Sequence, residues 1–245
     1  MRSYAIGDIH GQVGLLQQAH ALIEHDRKAC RDADAPVIHL GDLVDRGPDS
    51  AGVIRLLREG VGGGAPWVVL KGNHDRLFTR FLTDAGWRDP NIREGLTYLD
   101  PLIGGAETLM SYGLYRPTSF HIKTVRTNAL AQVPPEDIAF LDSCPLMYHH
   151  GDALFVHAGI RPGVPLPQQA EQDLLWIRDP FLMDTRDHGP LVVHGHTAIP
   201  CPMHYRNRVN LDSRAGYGGP LTVAVIEGRQ VFILTESGRV PLLPR

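Results

Sequence analysis

Several short strings in this chain gather residues that bind metal ions and handle phosphate. They are Gly7-Asp8-Ile9-His10-Gly11, Gly41-Asp42-Leu43-Val44-Asp45-Arg46-Gly47, Gly72-Asn73-His74-Asp75, His157-Ala158-Gly159, His194-Gly195-His196-Thr197 and Leu211-Asp212. Carboxylate, amide and imidazole donors are hard to borderline. They suit Mn, Fe or Zn and not a soft thiolate site. Two cations about 3.5–4 Å apart clamp an in-line phosphoryl displacement, and a shared carboxylate offsets their repulsion. Asp42 is the bridging candidate, because only its string has an acid followed three residues later by Asp45-Arg46. Arg46 then offers a phosphate a planar two-pronged donor.

The elements that must position these strings are legible around them. Tyr4–Ile6, Val37–Leu40 and Trp67–Leu70 are apolar runs, each followed by a glycine-containing string, and read as buried strands. Between them Leu15, Leu16, Ala19, Leu22 and Ile23 recur at helical spacing, with Arg27 and Lys28 closing the helix. A second helix carries Val53, Ile54 and Leu57 with Ser50 as the expected N-cap. A third runs through Leu77, Phe78, Phe81 and Leu82. Alternating strands and helices imply a parallel sheet with right-handed crossovers. The first three strings then fall at the carboxyl edge, where open α/β folds bind ligands.

From about 84 to 133 the periodicity weakens, and the segment reads as a mostly helical cap inserted over the sheet edge. Strands resume at Leu146–His149, Ala153–His157, Leu191–His194, Val209–Leu211, Leu221–Ile226 and Val231–Thr235, with Glu227-Gly228-Arg229 as a hairpin turn. The later strands deliver imidazoles, by this reading, to the same edge. The expectation is a single domain over 1–245.

Composition narrows the function classes. The 245 residues are 43% hydrophobic and 21% charged, which fits a globular chain and not a disordered one. A net charge of −3 argues against a nucleic-acid binder, which needs a basic face. Three cysteines, Cys30, Cys144 and Cys201, give neither a disulfide framework nor a cysteine zinc site, and fit a reducing compartment. There is no apolar run long enough for a membrane span and no signal-peptide pattern at Met1-Arg2-Ser3, so the expectation is a cytoplasmic protein.

With these residues in view, the chain resembles the phosphoprotein phosphatase family of binuclear metallophosphoesterases. That family's blocks GDxHG, GDxxDRG and GNH[DE] occur here in order, followed by its HAG and GHT blocks. The resemblance implies a calcineurin-like β-sandwich flanked by helices, with the inserted helical cap. It implies that Asp8 and His10 bind a first metal ion, that Asp42 bridges, and that Asn73, His157 and His196 complete a second. Mn2+ is the expected metal, with Fe or Zn as alternatives. A bridging hydroxide would attack phosphorus while Asp45 orients His74, which protonates the leaving oxygen. Arg46 and Arg178 would bind phosphate. The family's Asp-Thr-Gly-Ala block is altered here to Asp212-Ser213-Arg214-Ala215, which leaves Arg214 as an unexplained basic residue near the site.

Each residue also has a plainer reading. Asp8, Asp42 and Asn73 are good helix caps, His194 fits a structural role, and Arg178 could pair with Asp179. The joint pattern outweighs them. The expected activity is a metal-dependent phosphomonoesterase acting on phosphoserine or phosphothreonine in proteins. The rivals are a symmetrical dinucleoside tetraphosphatase and, more remotely, a non-catalytic metal-binding scaffold. The intact Asp45–His74 pair favours the phosphatase branch. The expected partners are a phosphoprotein or a small phosphoester, with neither nucleic acid nor membrane.

Overall fold

Short apolar runs that alternate faces build two sheets. The structure is a computed structural model and describes residues 1–84 and 86–245. In the first sheet β1 (Arg2–Ile6), β2 (Val37–His39) and β3 (Trp67–Val69) run parallel. Three antiparallel strands, β9 (Val223–Glu227), β10 (Gln230–Thr235) and β11 (Gly238–Pro241), extend it in the order β11-β10-β9-β1-β2-β3. The second sheet has the order β4-β5-β6-β8-β7. It comprises β4 (Met147–His150), β5 (Ala153–Val156), β6 (Leu191–His194), β7 (Met203–His204) and β8 (Arg208–Asn210), and β5, β6 and β8 are parallel.

Side chains sort by strand period. Ala5 and Ile38 face the second sheet, where they meet Phe155, Val193 and Val209. Tyr4, Ile6 and Val37 face outward and are covered by Leu16 and Ile23 of α1 (Val13–Cys30) and Val53 and Leu57 of α2 (Ser50–Gly62). On the far side Leu154, Val156 and Val192 pack under α7 (Glu171–Trp176) through Leu174. The layers are therefore helix, sheet, sheet, helix, as expected for a sandwich flanked by helices. Each fully buried Leu or Ile in these layers contributes roughly 1.5–3 kcal/mol.

One local expectation is corrected. The cap of α2 is Asp49, whose carboxylate accepts the Gly52 amide at 2.7 Å. The Ser50 hydroxyl is engaged instead by the Asp45 amide at 3.2 Å and Thr108 at 3.0 Å. The segment after α3 (Asn73–Thr83) contains α4 (Gly105–Ser111) and α5 (Ile122–Gln132), and helix continues as α6 (Pro135–Ser143) past the expected boundary. Tyr98 and Thr108 of this segment reach Asp45 in the string that follows β2. Leu109, Val125, Ala129 and Leu141 join the apolar cluster of α1 and α2, because α2 and α3 offer the apolar surface they need. Among the described residues no helix is long and apolar enough to cross a membrane.

Candidate active site

The ligand-type strings leave the carboxyl ends of parallel strands in both sheets and meet between them. Asp8 and His10 follow β1, Asp42 to Arg46 follow β2, and Asn73 and His74 open α3 after β3. His157 follows β5 and His196 follows β6. All of the predicted metal ligands are buried.

Asp42 lies at the centre. Its Oδ2 is 3.5 Å from His10 Nε2 and its Oδ1 is 3.3 Å from His157 Nε2. Two buried groups of donors, each within 4.8 Å, share it: His10, Asp42 and His74, and Asp42, His157 and His196. Asn73 Oδ1 lies 2.9 Å from both His157 Nε2 and His196 Nδ1. Asp8 borders these groups and feels the Asp42 charge. Its carboxylate accepts the His196 amide at 3.0 Å, with Gly195 packed directly against it. A Cβ at Gly195 would sit 1.9 Å from Asp8 Oδ1, so the close approach requires glycine.

Backbone partners fix the imidazole tautomers. His10 Nδ1 donates to the Val44 carbonyl at 2.8 Å, and His157 Nδ1 donates to the Leu40 carbonyl at 2.9 Å. Each Nε2 lone pair is thereby turned inward, as a ligating histidine requires. Among the described residues, His196 Nε2 is buried without a hydrogen-bond partner. That orphaned atom, the two imidazole sets on one carboxylate and the donor chemistry all fit divalent metal ions.

Charge follows from burial and neighbours. Burial pushes the Asp42 carboxyl up, but the imidazoles of His157, His74, His10 and His196 outweigh it and hold the acid well below the usual carboxylate range. Burial, then Asp212 and Asp42, push Asp8 up. Burial lowers His10, assisted by the Arg46 guanidinium, and lowers His196, assisted by His157 and Arg178.

His74 and Arg46 border the donors. His74 Nδ1 donates to Asp45 Oδ2 at 2.7 Å, and its Nε2 accepts from Arg46 at 2.9 Å. Arg46 also donates to His10 Nε2 at 2.5 Å. Arg178 is exposed in the turn after α7. Among the described residues it forms no ion pair with Asp179, and its charge is felt at His157 and His196. His194 points the other way. It lies edge-on to Phe181 at 5.2 Å on the outer face of the second sheet.

Several contributors carried no signal in the sequence. Asp45 Oδ1 accepts from Tyr98 at 2.5 Å and from Thr108 at 2.8 Å, both from the segment expected to be a cap. Asp75 accepts the Leu43 and Gly72 amides at 2.9 and 2.7 Å and so ties the second string to the third. Burial and the Asp42 charge push its carboxyl up to about 7. Asp75 was visible only as part of its string. Nothing around Tyr98 or Thr108 marked them.

The fold and this donor cluster define a metallophosphoesterase. The model of calcineurin-like phosphoesterases matches residues 1–224, and the chain belongs to that family. It is 24% identical over 237 residues to an asymmetrical bis(5'-nucleosyl)-tetraphosphatase of Bacillus velezensis, covering 89% of this chain and 86% of that protein. It is 37% identical to serine/threonine-protein phosphatase 2 of Escherichia coli over 75 residues, which is 30% of this chain and 29% of that one. A solved structure described as a putative diadenosine tetraphosphatase superposes with a TM-score of 0.58 at 23% identity, covering 99% of this chain and 94% of the other. That likeness shows the fold.

Proposed function

We propose that the chain is a divalent-metal-dependent phosphoester hydrolase whose substrates are dinucleoside polyphosphates. The observation that carries the hydrolase reading is the shared Asp42 between two donor groups, with Arg46 and His74 bordering them. The substrate class is supported by likeness to tetraphosphatases along most of the chain, where the serine/threonine phosphatases align over 75 residues. This departs from the sequence-based preference for phosphoproteins.

Asp8, His10, Asp42, Asn73, His157 and His196 would hold the metal ions, and Asp8 also accepts the His196 amide. Divalent cations bound there supply Lewis-acid chemistry that neutralises phosphoryl oxygens during in-line displacement. Arg46 leaves the imidazoles to bind the phosphoryl group, and Arg178 approaches from the rim. The bond from phosphorus to the leaving oxygen breaks as one from a water oxygen forms. Once Arg46 has moved off it, His74 Nε2 is free to take up a proton from solvent, and it gives that proton to the leaving oxygen. Asp45 accepts the Nδ1 hydrogen bond and orients the ring for that transfer.

The second reading is a phosphoserine or phosphothreonine phosphatase. It is favoured by the intact Asp45–His74 hydrogen bond, since an alkoxide needs a proton more than a nucleotide phosphate does. The test measures kcat/KM of Mn2+-loaded protein on diadenosine tetraphosphate and on phosphoserine and phosphothreonine peptides, with metal content read by elemental analysis. The proposal expects at least a tenfold preference for the tetraphosphate, loss of turnover on chelation and recovery with Mn2+. A preference for the peptides selects the second reading. Full turnover in metal-free protein overturns both.

A further inference from the structure

Arg214 stands at the position where the chain departs from the Asp-Thr-Gly-Ala block, and its backbone has an unfavourable shape. Its φ is +70°, a left-handed value that glycine adopts freely and arginine does not. Of the nine such non-glycine residues among the described ones, five are His10, Asp42, Asp45, Arg46 and His196. Left-handed backbone is thus concentrated at the site, where strain accompanies function. Arg214 is the neighbour of that set.

Its surroundings leave the cation available. The Arg214 amide donates to Asp212 Oδ1 at 3.0 Å, while its guanidinium makes no hydrogen bond or ion pair among the described residues. The side chain is exposed. Its Cζ lies 5.7 Å from the centroid of the Tyr217 ring, and Arg46 Cζ lies 4.7 Å from the same centroid. Both guanidiniums therefore lie within 6 Å of one aromatic ring, next to the string that carries Arg46. The loop that carries Arg214 and Tyr217 rests on the donor cluster. A Cβ at Gly216 would meet His10 Cδ2 at 2.6 Å.

We infer that Arg214 binds the phosphate adjacent to the scissile one in a nucleoside polyphosphate, with Tyr217 bracing it beside Arg46. The inference rests on the hydrolase reading above and narrows its substrate recognition. A phosphomonoester presents a single phosphate, which Arg46 takes. A polyphosphate chain presents a second dense anion one bridging oxygen away, and a guanidinium is the donor that matches it.

The test compares Arg214→Gly and Arg214→Lys with the parent chain on diadenosine tetraphosphate and on nitrophenyl phosphate, both with Mn2+. Glycine suits φ +70°, so Arg214→Gly keeps or raises Tm. The expected result is a KM for the tetraphosphate raised by about tenfold or more, as loss of a charge-assisted contact implies. The ratio of kcat/KM on the two substrates falls by the same factor, and Arg214→Lys recovers part of it. An unchanged ratio in Arg214→Gly overturns the subsite. So does an equal loss on both substrates, which would place Arg214 on the scissile phosphate. If the parent chain hydrolyses nitrophenyl phosphate and leaves the tetraphosphate intact, the nucleotide reading itself falls, and the subsite falls with it.

Discussion

His74 engages Asp45 through one nitrogen and Arg46 through the other, so its ring plane is set before substrate arrives. A general acid contributes about 10²–10⁴-fold, most for poor leaving groups. His74→Asn should therefore cut turnover of an alkyl phosphate by that range and turnover of nitrophenyl phosphate far less. Tyr98→Phe removes one of two hydroxyls on Asp45 Oδ1 and should give the same asymmetry in milder form, about tenfold, with KM unchanged. Equal slowing of both substrates by His74→Asn would assign it to phosphate positioning and not to proton transfer. The donors were legible because each sits in a string whose neighbours share its purpose, such as Asp42 three residues before Asp45-Arg46. Tyr98 and Thr108 were not, since only the folded chain brings them to Asp45. The tight donor groups also contain His74 and leave Asp8 on the His196 amide, an arrangement that spacing along the chain does not reveal.

At the level of elements, the strands that precede the strings were readable because an apolar run stops at a polar string containing glycine. The two missed strands lack that contrast. β7 has two residues, and β11 reads Gly-Arg-Val-Pro at a sheet edge. The segment between α3 and α6 was blurred for a related reason. Its helices bury few positions each, and much of its hold is polar. Asp89, buried in that segment, accepts from Arg76 of α3 at 2.6 Å and from Trp176 of α7 at 3.0 Å. It also accepts from Gln172 at 3.3 Å. One carboxylate thus fastens the segment to helices from both outer layers, and Trp176 lies edge-on to His196 at 5.7 Å. Removing one partner of a buried ion pair costs about 3–5 kcal/mol, reduced here because Arg76 keeps Glu171 and Gln172. Asp89→Ala should lower Tm by roughly 5–10 °C for a chain of this size. Limited proteolysis should cut the segment first. A melting profile identical to that of the parent chain would show that the clamp carries no stability.

Across the whole molecule, the layer of helices over the first sheet contains a histidine pair remote from the donors. His39 of β2 is fully buried, and its Nε2 lies 2.9 Å from His20 Nε2 of α1, with Trp67 stacked on His20 at 4.3 Å. One ring must donate and the other accept, and burial keeps both neutral near pH 7. Burial lowers His20 from 6.5 to about 4 and His39 from 6.5 to about 3. Between pH 6.5 and those values the unfolded chain binds protons that the native chain does not, so stability rises with pH across this window and is lost as the solution is acidified. The slope is about 1.4 kcal/mol per pH unit for each histidine. Asp75, raised to about 7, acts with the opposite sign in the same range, because its native form holds the proton longer than the unfolded one. A comparison of two chains removes that background. His39→Leu deletes one titrating ring and keeps an apolar side chain between α1 and β2. At pH 7 it should be less stable than the parent chain, since His20 loses its partner. Between pH 6.5 and 4.5 its stability should fall less steeply, narrowing the gap by about 2–3 kcal/mol. Urea denaturation of both chains at pH 7, 6, 5 and 4.5 measures this directly. Parallel profiles would mean that His39 titrates alike in both states and that the pair contributes packing alone.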